Sequence, residues 1–394
     1  MMGNKKKRLL VIIPDDLNKL VAKGEITKRY YNPDDYFEEV EIVSLSDKGP
    51  IDHDRVKTTV GSADLSLTAI RRPHAISTLG WNRYLLGNWI SRALDQIKAR
   101  PDLIRIYSLH LNGLLAVESK KRFNVPLVAS VHEVGDWYKK LEIRACRDPL
   151  KKTLLYLYSL RTRQIAEQTL RRCDEVICVY HSICNYVRRL SYNKPRLIYN
   201  AVSEDVRVKK SYGLNSPPRL LNVGRQTPGI KEPTNILRAM EGLDVKLDII
   251  GDGPAHRQLV RIADKAGVTD KVNFISFQPN EQIVQSMQHY DIYVYQYNNW
   301  EISKSVLEAM LCGLPIVLNQ KEDYPVREFL SADYLLAVPN SPADFRASIQ
   351  RLLEDGNLRE KLGNKARNFA RKNYDPKVVE KKVASIYSSL LGRH

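Results

Sequence analysis

The chain has 394 residues, of which 43% are hydrophobic and 27% are charged, and its formal net charge is +17. This composition describes a soluble globular protein with enough residues for two or three domains. It excludes a membrane-spanning protein, because no apolar run reaches the roughly 18–20 residues needed to cross a bilayer. The positive charge indicates an anionic partner: nucleic acid, a phosphorylated small molecule or an anionic membrane surface.

The N-terminus and the cysteines favour a cytoplasmic location. In MMGNKKKRLLVIIP the apolar stretch is only about six residues, and no small-residue cleavage site follows, so we expect a first strand and not a signal peptide. The five cysteines are odd in number and include no CxxC pair. This pattern argues against a disulfide framework and a zinc site, and it suits a reducing compartment.

Short apolar runs alternate with segments of helical period along the whole chain. Continuous apolar strands separated by helices indicate parallel sheets covered on both faces. The pattern therefore predicts an α/β fold with two Rossmann-like, doubly wound domains that face a central cleft. Strands are predicted in two series, at 8–14, 40–45, 103–109, 126–131 and 175–180, and at 219–224, 245–251, 271–276, 291–296 and 314–319.

A polar stretch at 203–218, ending in Asn215-Ser216-Pro217-Pro218, separates the two series of strands and has the composition of a linker. We expect one domain over residues 1–205 and a second domain over 206–375. Residues 376–394 are expected to form a helix that packs back toward the N-terminal domain. Two such domains suit a two-substrate enzyme, although many functions use this fold.

The loops after two strands of the second series carry candidate phosphate ligands. Arg225 and Lys231 follow the strand that ends at Val223, and a guanidinium fork with a point charge suits a diphosphate. The alternative is a solvated pair of loop cations. In DIIGDGP, Gly251 and Gly253 permit a close approach of backbone to a ligand, although ordinary tight turns share this pattern.

The stretch NNWEISKSVLEAMLCGLP, at 298–315, predicts a helix capped by Ser303. The free N–H groups of Lys304, Ser305 and Val306 would favour a phosphate there. Glu308 lies about one turn further on, among apolar neighbours, where its carboxylate can accept both hydroxyls of a ribose. The alternative is an acid on a solvent-exposed face that stabilises the helix dipole.

The order GR…K, GDGP and SVLEAMLCGLPIV resembles the retaining, nucleotide-sugar-dependent glycosyltransferases of family four, which have the two-domain GT-B fold. The likeness extends to IRIYSLHLNGLLA and VPLVASVHE in the first half. The resemblance implies that Arg225 and Lys231 bind the donor diphosphate, and that Glu308 holds the donor ribose. It also implies that His132 faces the donor sugar, whereas taken alone His132 is equally well a satisfied core histidine.

Two features depart from the family pattern. The family spacing E-x7-E places its first glutamate at Trp300, and Glu301 comes one residue late. Either the loop slips by one residue, so that Glu301 joins His132 as a catalytic candidate, or Trp300 fills the sugar pocket and alters or abolishes transfer. The glycine pair expected after the first strand is absent, which leaves Gly24 as the candidate for the acceptor and phosphate loop.

The resemblance implies transfer of a sugar from a UDP- or GDP-linked donor to a hydroxyl of a glycan or a lipid-linked acceptor, with retention of configuration. Arg225, Lys231 and the helix start at Ser303–Ser305 would stabilise the departing diphosphate. No metal and no cofactor is expected, and Asp52-His53-Asp54 is interpreted as a surface loop. The alternatives are a non-catalytic sugar-binding protein and a sugar-nucleotide epimerase.

The segment 139–172 carries ten basic residues interleaved with leucine and tyrosine. One interpretation is a basic amphipathic helix that docks on an anionic membrane. The protein would then be a peripheral protein on the inner face of that membrane. The other is a core-facing helix with a solvated basic face. Nucleic-acid binding is not expected, because the chain has no recognisable module for it.

Overall fold

The structure is a computed structural model. The chain forms two compact units, one of Met1–Tyr199 with Glu380–His394 and one of Asn200–Val379. The boundaries expected after residues 205 and 375 lie close to these. The structure describes residues 6–22, 28–46, 51–73, 83–133, 139–140, 142–144, 146–190, 194–202, 205–298, 302–320, 326–330 and 332–393.

The first unit contains a seven-stranded sheet in the order β3-β2-β1-β4-β5-β6-β7. All neighbouring strands are parallel, and the order reverses between β1 and β4. Its strands are β1 (Arg8–Ile13), β2 (Glu39–Ser44), β3 (Asp64–Ala69), β4 (Leu103–Tyr107), β5 (Leu127–Val131), β6 (Glu175–Cys178) and β7 (Arg196–Leu197).

The second unit contains a six-stranded parallel sheet in the order β10-β9-β8-β11-β12-β13, which reverses between β8 and β11. The predicted α/β fold with two doubly wound sheets is confirmed. Ligands of such sheets bind at the carboxyl ends of the strands near the reversal. The strands are β8 (Arg219–Val223), β9 (Lys246–Ile250), β10 (Val272–Ile275), β11 (Ile292–Tyr295), β12 (Ile316–Asn319) and β13 (Leu336–Val338).

Helices connect the strands. In the second unit, apolar side chains of the strands and of the helices, such as Leu247 and Phe345, form one core. The helices are α1 (Leu17–Ala22), α2 (His53–Lys57), α3 (Arg83–Asp95), α4 (Leu111–Phe123), α5 (Pro149–Arg172), α6 (His181–Leu190), α7 (Thr234–Ala239), α8 (His256–Lys265), α9 (Asn280–Ser286), α10 (Lys304–Cys312), α11 (Pro342–Glu354), α12 (Gly356–Tyr374) and α13 (Pro376–Leu391).

Polar contacts fasten helix α13 to the first unit. Glu380 accepts hydrogen bonds from Arg29 Nε at 2.9 Å and from the Asp34 amide at 3.1 Å. The Tyr387 hydroxyl accepts from Arg105 Nη1 at 2.6 Å, and Arg105 is buried in the middle of β4. Both interactions are charge-assisted, and such hydrogen bonds are stronger than neutral ones. From Glu380 onward, the last helix of the chain is therefore a component of the first unit.

Candidate functional site

The loops after β8 and β9 are bonded to each other at the carboxyl edge of the second sheet. The Gln226 amide donates to Asp252 O at 3.0 Å, and the Ala255 amide donates to Gln226 O at 3.1 Å. The buried Gln226 side chain donates to Gly251 O at 2.6 Å and lies 3.0 Å from His256 Nδ1. Sequence analysis missed Gln226, because its partners lie on a different loop.

Gly251 and Gly253 are required by this contact between the two loops. Both have positive φ, at 127° and 157°. A Cβ on Gly251 would come under 3.0 Å from Gly224 O, and one on Gly253 equally close to Gln226 O. The structure thus explains both glycines by the approach of one loop to the other. Their contact with a donor remains a prediction.

Replacing Gly253 by alanine should destabilise the second unit by about 3 kcal/mol, because it combines a strained φ with a backbone clash. Calorimetry should show a melting temperature lower by roughly 5–10 °C. The matched control is Gly267→Ala, at φ 63° with no atom near the added Cβ. It should cost about 1 kcal/mol. Equal shifts in both variants would contradict the clash.

Arg225 and Lys231 lie on one loop after β8. Arg225 is exposed, and Lys231 is half-buried at the end of a tight hairpin in which Thr227 and Lys231 exchange backbone hydrogen bonds of 3.0 and 3.1 Å. The Asn298 amide donates to Ile230 O at 2.7 Å and ties this hairpin to the segment after β11. Among the described residues neither cation has a hydrogen-bond or ion-pair partner. Their charges are therefore available to an anion.

Helix α10 begins next to this loop, with Ser303 at the predicted N-cap position. The Ser303 hydroxyl makes no capping bond and lies 2.9 Å from Ser305 Oγ. Ser305 Oγ donates to Val223 O and accepts from the Tyr293 hydroxyl, both at 2.8 Å. The Ser305 side chain thus fastens the helix start to the end of β8. Only its backbone N–H is left to bind a phosphate.

The expectation that Val306 offers a free N–H group is wrong, because this amide donates to Ser303 O at 3.0 Å. A helix start with a tight first turn satisfies one of its own donors in this way. Ser305 is the position where the predicted backbone contact to phosphate remains open.

Glu308 is only 1% exposed, so it is not the solvent-exposed acid of the alternative interpretation. Its Oε1 accepts from Asn280 Nδ2 at 3.1 Å and lies 3.8 Å from Lys304 Nζ. Burial raises the pKa of Glu308, while Lys304 and Asn280 act in the opposite direction. Because an ionised buried carboxylate needs hydrogen-bond donors, the site is suited to accept hydroxyl groups.

Three other candidates, Gly24, Trp300 and Glu301, lie outside the described residues. The choice between a slipped loop and a filled sugar pocket is therefore untested. Asp52 of the D-x-D sequence is described, and it caps helix α2 by accepting from the Arg55 amide. This role is structural.

In the first unit, His132 follows β5 at the carboxyl edge of the sheet. Its ring lies 5.5 Å from that of Tyr107, and its buried Nε2 has no hydrogen-bond partner in the part of the chain that the structure describes. Burial lowers the pKa of His132 to about 4, and the positive charge of Arg105 acts in the same direction. The ring is therefore neutral at pH 7. The interpretation as a satisfied core histidine does not hold for Nε2.

The neighbouring strand end adds polar groups that were not among the predicted site residues. His110 Nε2, after β4, lies 3.6 Å from Glu133 Oε1, and this interaction lowers the pKa of Glu133. Among the described residues, His110 Nδ1 and Asn112 Oδ1 are likewise buried without partners. Buried polar atoms are seldom left unpaired, so this edge is suited to a polar ligand. The signal in the sequence was the histidine in SLHLNG.

Comparison with known families identifies the family of proteins that carries these two sites. The model described as "Glycosyltransferase Family 4" matches residues 38–206, and "Glycosyl transferases group 1" matches residues 207–369. The chain belongs to this glycosyltransferase family. The two matches adjoin one another, and the second contains Arg225, Lys231 and Glu308.

Similar proteins agree with this assignment. An uncharacterized glycosyltransferase of Methanocaldococcus jannaschii is 26% identical over 311 residues, covering 73% of this chain and 74% of that protein. Sucrose-phosphate synthase from Thermosynechococcus elongatus has a TM-score of 0.72 at 16% identity, covering 99% of this glycosyltransferase and 100% of that chain. Anabaena HepE in complex with UDP has a TM-score of 0.71 at 15% identity, covering 97% and 100%. The structural likenesses show that the enzyme has the GT-B fold.

The low pKa of His132 predicts that the glycosyltransferase loses stability on acidification. Between about pH 6.5 and 4 the unfolded histidine binds a proton that the folded one does not, so unfolding becomes easier as the pH falls. The loss should reach about 3 kcal/mol. Melting temperatures measured across this range should fall less steeply in His132→Gln. Parallel curves would contradict the assignment.

Proposed function

We propose that this glycosyltransferase moves a hexose from a nucleoside-diphosphate sugar, linked to UDP or GDP, onto a hydroxyl of a glycan or lipid-linked acceptor with retention of configuration. One observation carries the proposal. The buried carboxylate of Glu308 follows a strand on one side of the sheet reversal. Arg225 and Lys231, whose side chains have no partner among the described residues, follow the strand on the other side. This arrangement offers acceptors for a ribose next to charges for a diphosphate. HepE, a protein of the same fold, has been crystallised with UDP and with UDP-glucose.

In the proposed reaction, Glu308 accepts hydrogen bonds from the two ribose hydroxyls of the donor. Arg225, Lys231 and the Ser305 N–H group bind the diphosphate. As the bond between the anomeric carbon and the diphosphate oxygen breaks, negative charge grows on the leaving group. Charges fixed in place before the reaction stabilise this state. The cations supply this stabilisation from side chains, which is the basis for proposing a metal-independent transfer.

The acceptor hydroxyl forms its bond to the anomeric carbon on the face from which the diphosphate departs, and its proton passes to a diphosphate oxygen. The configuration is therefore retained, and no protein base is required. Neutral His132 at the edge of the first sheet serves as a hydrogen-bond partner of the donor sugar. A protonated ring would instead disfavour a cationic, oxocarbenium-like transition state by charge repulsion.

The test is a thermal-shift screen of UDP- and GDP-sugars, because a ligand that binds the native state raises its melting temperature. A donor identified in this way should release its nucleoside diphosphate slowly by hydrolysis. With an acceptor present, nuclear magnetic resonance should show the donor's anomeric configuration in the product. Binding without hydrolysis or transfer would indicate a non-catalytic sugar-binding protein. Absence of any shift would refute the donor assignment.

A further inference from the structure

Helix α5 has two halves with different surroundings. In the C-terminal half, Ile165, Ala166 and Thr169 are buried, and the helix packs against α4. The approach is close, because a Cβ on Gly113 of α4 would come under 3.0 Å from the Thr169 hydroxyl. In the N-terminal half, residues 149–160, no residue is buried. Half of this helix therefore extends beyond the core that supports it.

The exposed half carries an uncovered apolar stripe. The described part of the chain has ten exposed large hydrophobic side chains, and five of them lie within eleven residues of α5, so they form a patch and are not scattered. At 100° per residue, the stripe occupies the side of the helix opposite the buried face. Its members are Leu150 (80% exposed), Leu154 (50%), Tyr156 (55%), Leu157 (39%) and Leu160 (43%).

Cations border this stripe. By helical geometry Lys151 lies beyond one edge of the stripe, at the angle of Thr169, and Lys152 lies beyond the other edge, at the angle of Leu170. Between residues 139 and 163 the chain has eight basic side chains and only two carboxylates. Both carboxylates are engaged, because Glu142 pairs with Lys139 at 2.8 Å and Asp148 caps the helix. Residues 149–160 contain Lys151 and Lys152 and no carboxylate, so the exposed half of α5 combines an apolar stripe with net positive charge.

We propose that this surface, defined as the outward side of residues 149–160 with its flanking lysines, docks on a bilayer that contains anionic lipid. An apolar stripe buries itself at the boundary of headgroups and acyl chains, and cations beside it are attracted to anionic headgroups. The twelve residues extend over about 18 Å, so the helix lies along the membrane instead of crossing it. Among the described helices, none has both the length and the apolar character needed to span a membrane.

Docking goes beyond the proposed transfer reaction, which needs only the donor site and an acceptor hydroxyl. The net positive charge favours an anionic lipid surface over an apolar protein groove, because anionic headgroups attract it and an apolar groove does not. Anchoring would raise the local concentration of an acceptor held in the same membrane.

Vesicle flotation of the full chain tests the proposal. We expect binding to vesicles of phosphatidylcholine with one third phosphatidylglycerol, weaker binding as salt is raised, and little binding to phosphatidylcholine alone. Leu154→Ser with Leu157→Ser should weaken binding about tenfold, because less apolar surface is buried. Lys151→Glu with Lys152→Glu should weaken it by about tenfold or more.

The matched controls are Val260→Ser and Arg261→Glu, which change exposed residues of helix α8 in the second unit. They should bind vesicles like the wild type. All variants should keep the wild-type melting temperature and the hydrolysis of a water-soluble donor. This readout separates the membrane proposal from the proposed function. Equal binding to both vesicle types, absence of binding, or loss of a dimer in the leucine variant by ultracentrifugation would overturn the membrane assignment.

Discussion

Replacing Arg225 or Lys231 by methionine should lower kcat of sugar transfer about a hundredfold each, because a preorganised group that stabilises transition-state charge is worth this much. Methionine keeps most of the side-chain length and removes the charge. Neither cation has a partner among the described residues, so its loss leaves no buried group unpaired and the fold should be unaffected. Steady-state kinetics with the donor found in the thermal-shift screen is the measurement.

Arg261→Met is the control, since Arg261 is exposed on α8 and the change in net charge is the same. It should leave kcat unchanged. If the loss in Arg225→Met appeared only in KM, the side chain would bind ground state and transition state equally. If Arg261→Met and Arg225→Met lost activity equally, the effect would be one of overall charge, and the assigned diphosphate contact would be wrong.

Glu308→Gln should lower donor affinity about a hundredfold, because hydrogen bonds to a charged acceptor contribute about 1.5–3 kcal/mol each and two ribose hydroxyls are involved. The same change should not weaken the fold. Burial raises the pKa of the folded carboxyl, so above its unfolded pKa Glu308 costs stability, and the amide removes that cost. Titration calorimetry with the nucleoside diphosphate and thermal melts measure the two effects separately.

Glu41→Gln is the matched control, because Glu41 is also a buried glutamate but lies in β2 of the first unit. It should leave donor affinity unchanged. Wild-type affinity in Glu308→Gln would refute the ribose assignment. The raised pKa adds a further expectation: donor affinity should fall on acidification at a higher pH than for an ordinary carboxylate.

The sequence predicted ten strands that the structure contains, because most of them are apolar runs that the sheets bury; β10, an outer strand, is only partly buried. The ten predicted ranges do not include β3, β7 or β13, each of which is an outer strand of its sheet. β3 reads DLSLTA, with alternating polar residues and only partial burial. An edge strand has one neighbour and needs no continuous apolar run, so its signal is weak.

For the site, sequence order and family resemblance located Arg225, Lys231 and Glu308, and the structure places them on loops and a helix at one sheet edge. They did not reveal Gln226, Tyr293 or the side-chain role of Ser305. These residues act through hydrogen bonds between loops that are about 12 to 80 positions apart in the chain. No local pattern encodes such pairings.

Helix α5 shows most clearly which properties follow from the sequence and which are decided by the tertiary structure. The sequence by itself predicted a basic helix within 139–172 with apolar residues along one side. It left open whether that side is buried, because helical periodicity is the same for a core-facing and an outward-facing stripe. The tertiary structure decided this. Packing of Ile165 and Thr169 against α4 fixes the rotation of the helix, and a rigid helix carries that rotation into its first half, where Leu150, Leu154 and Leu157 consequently face outward.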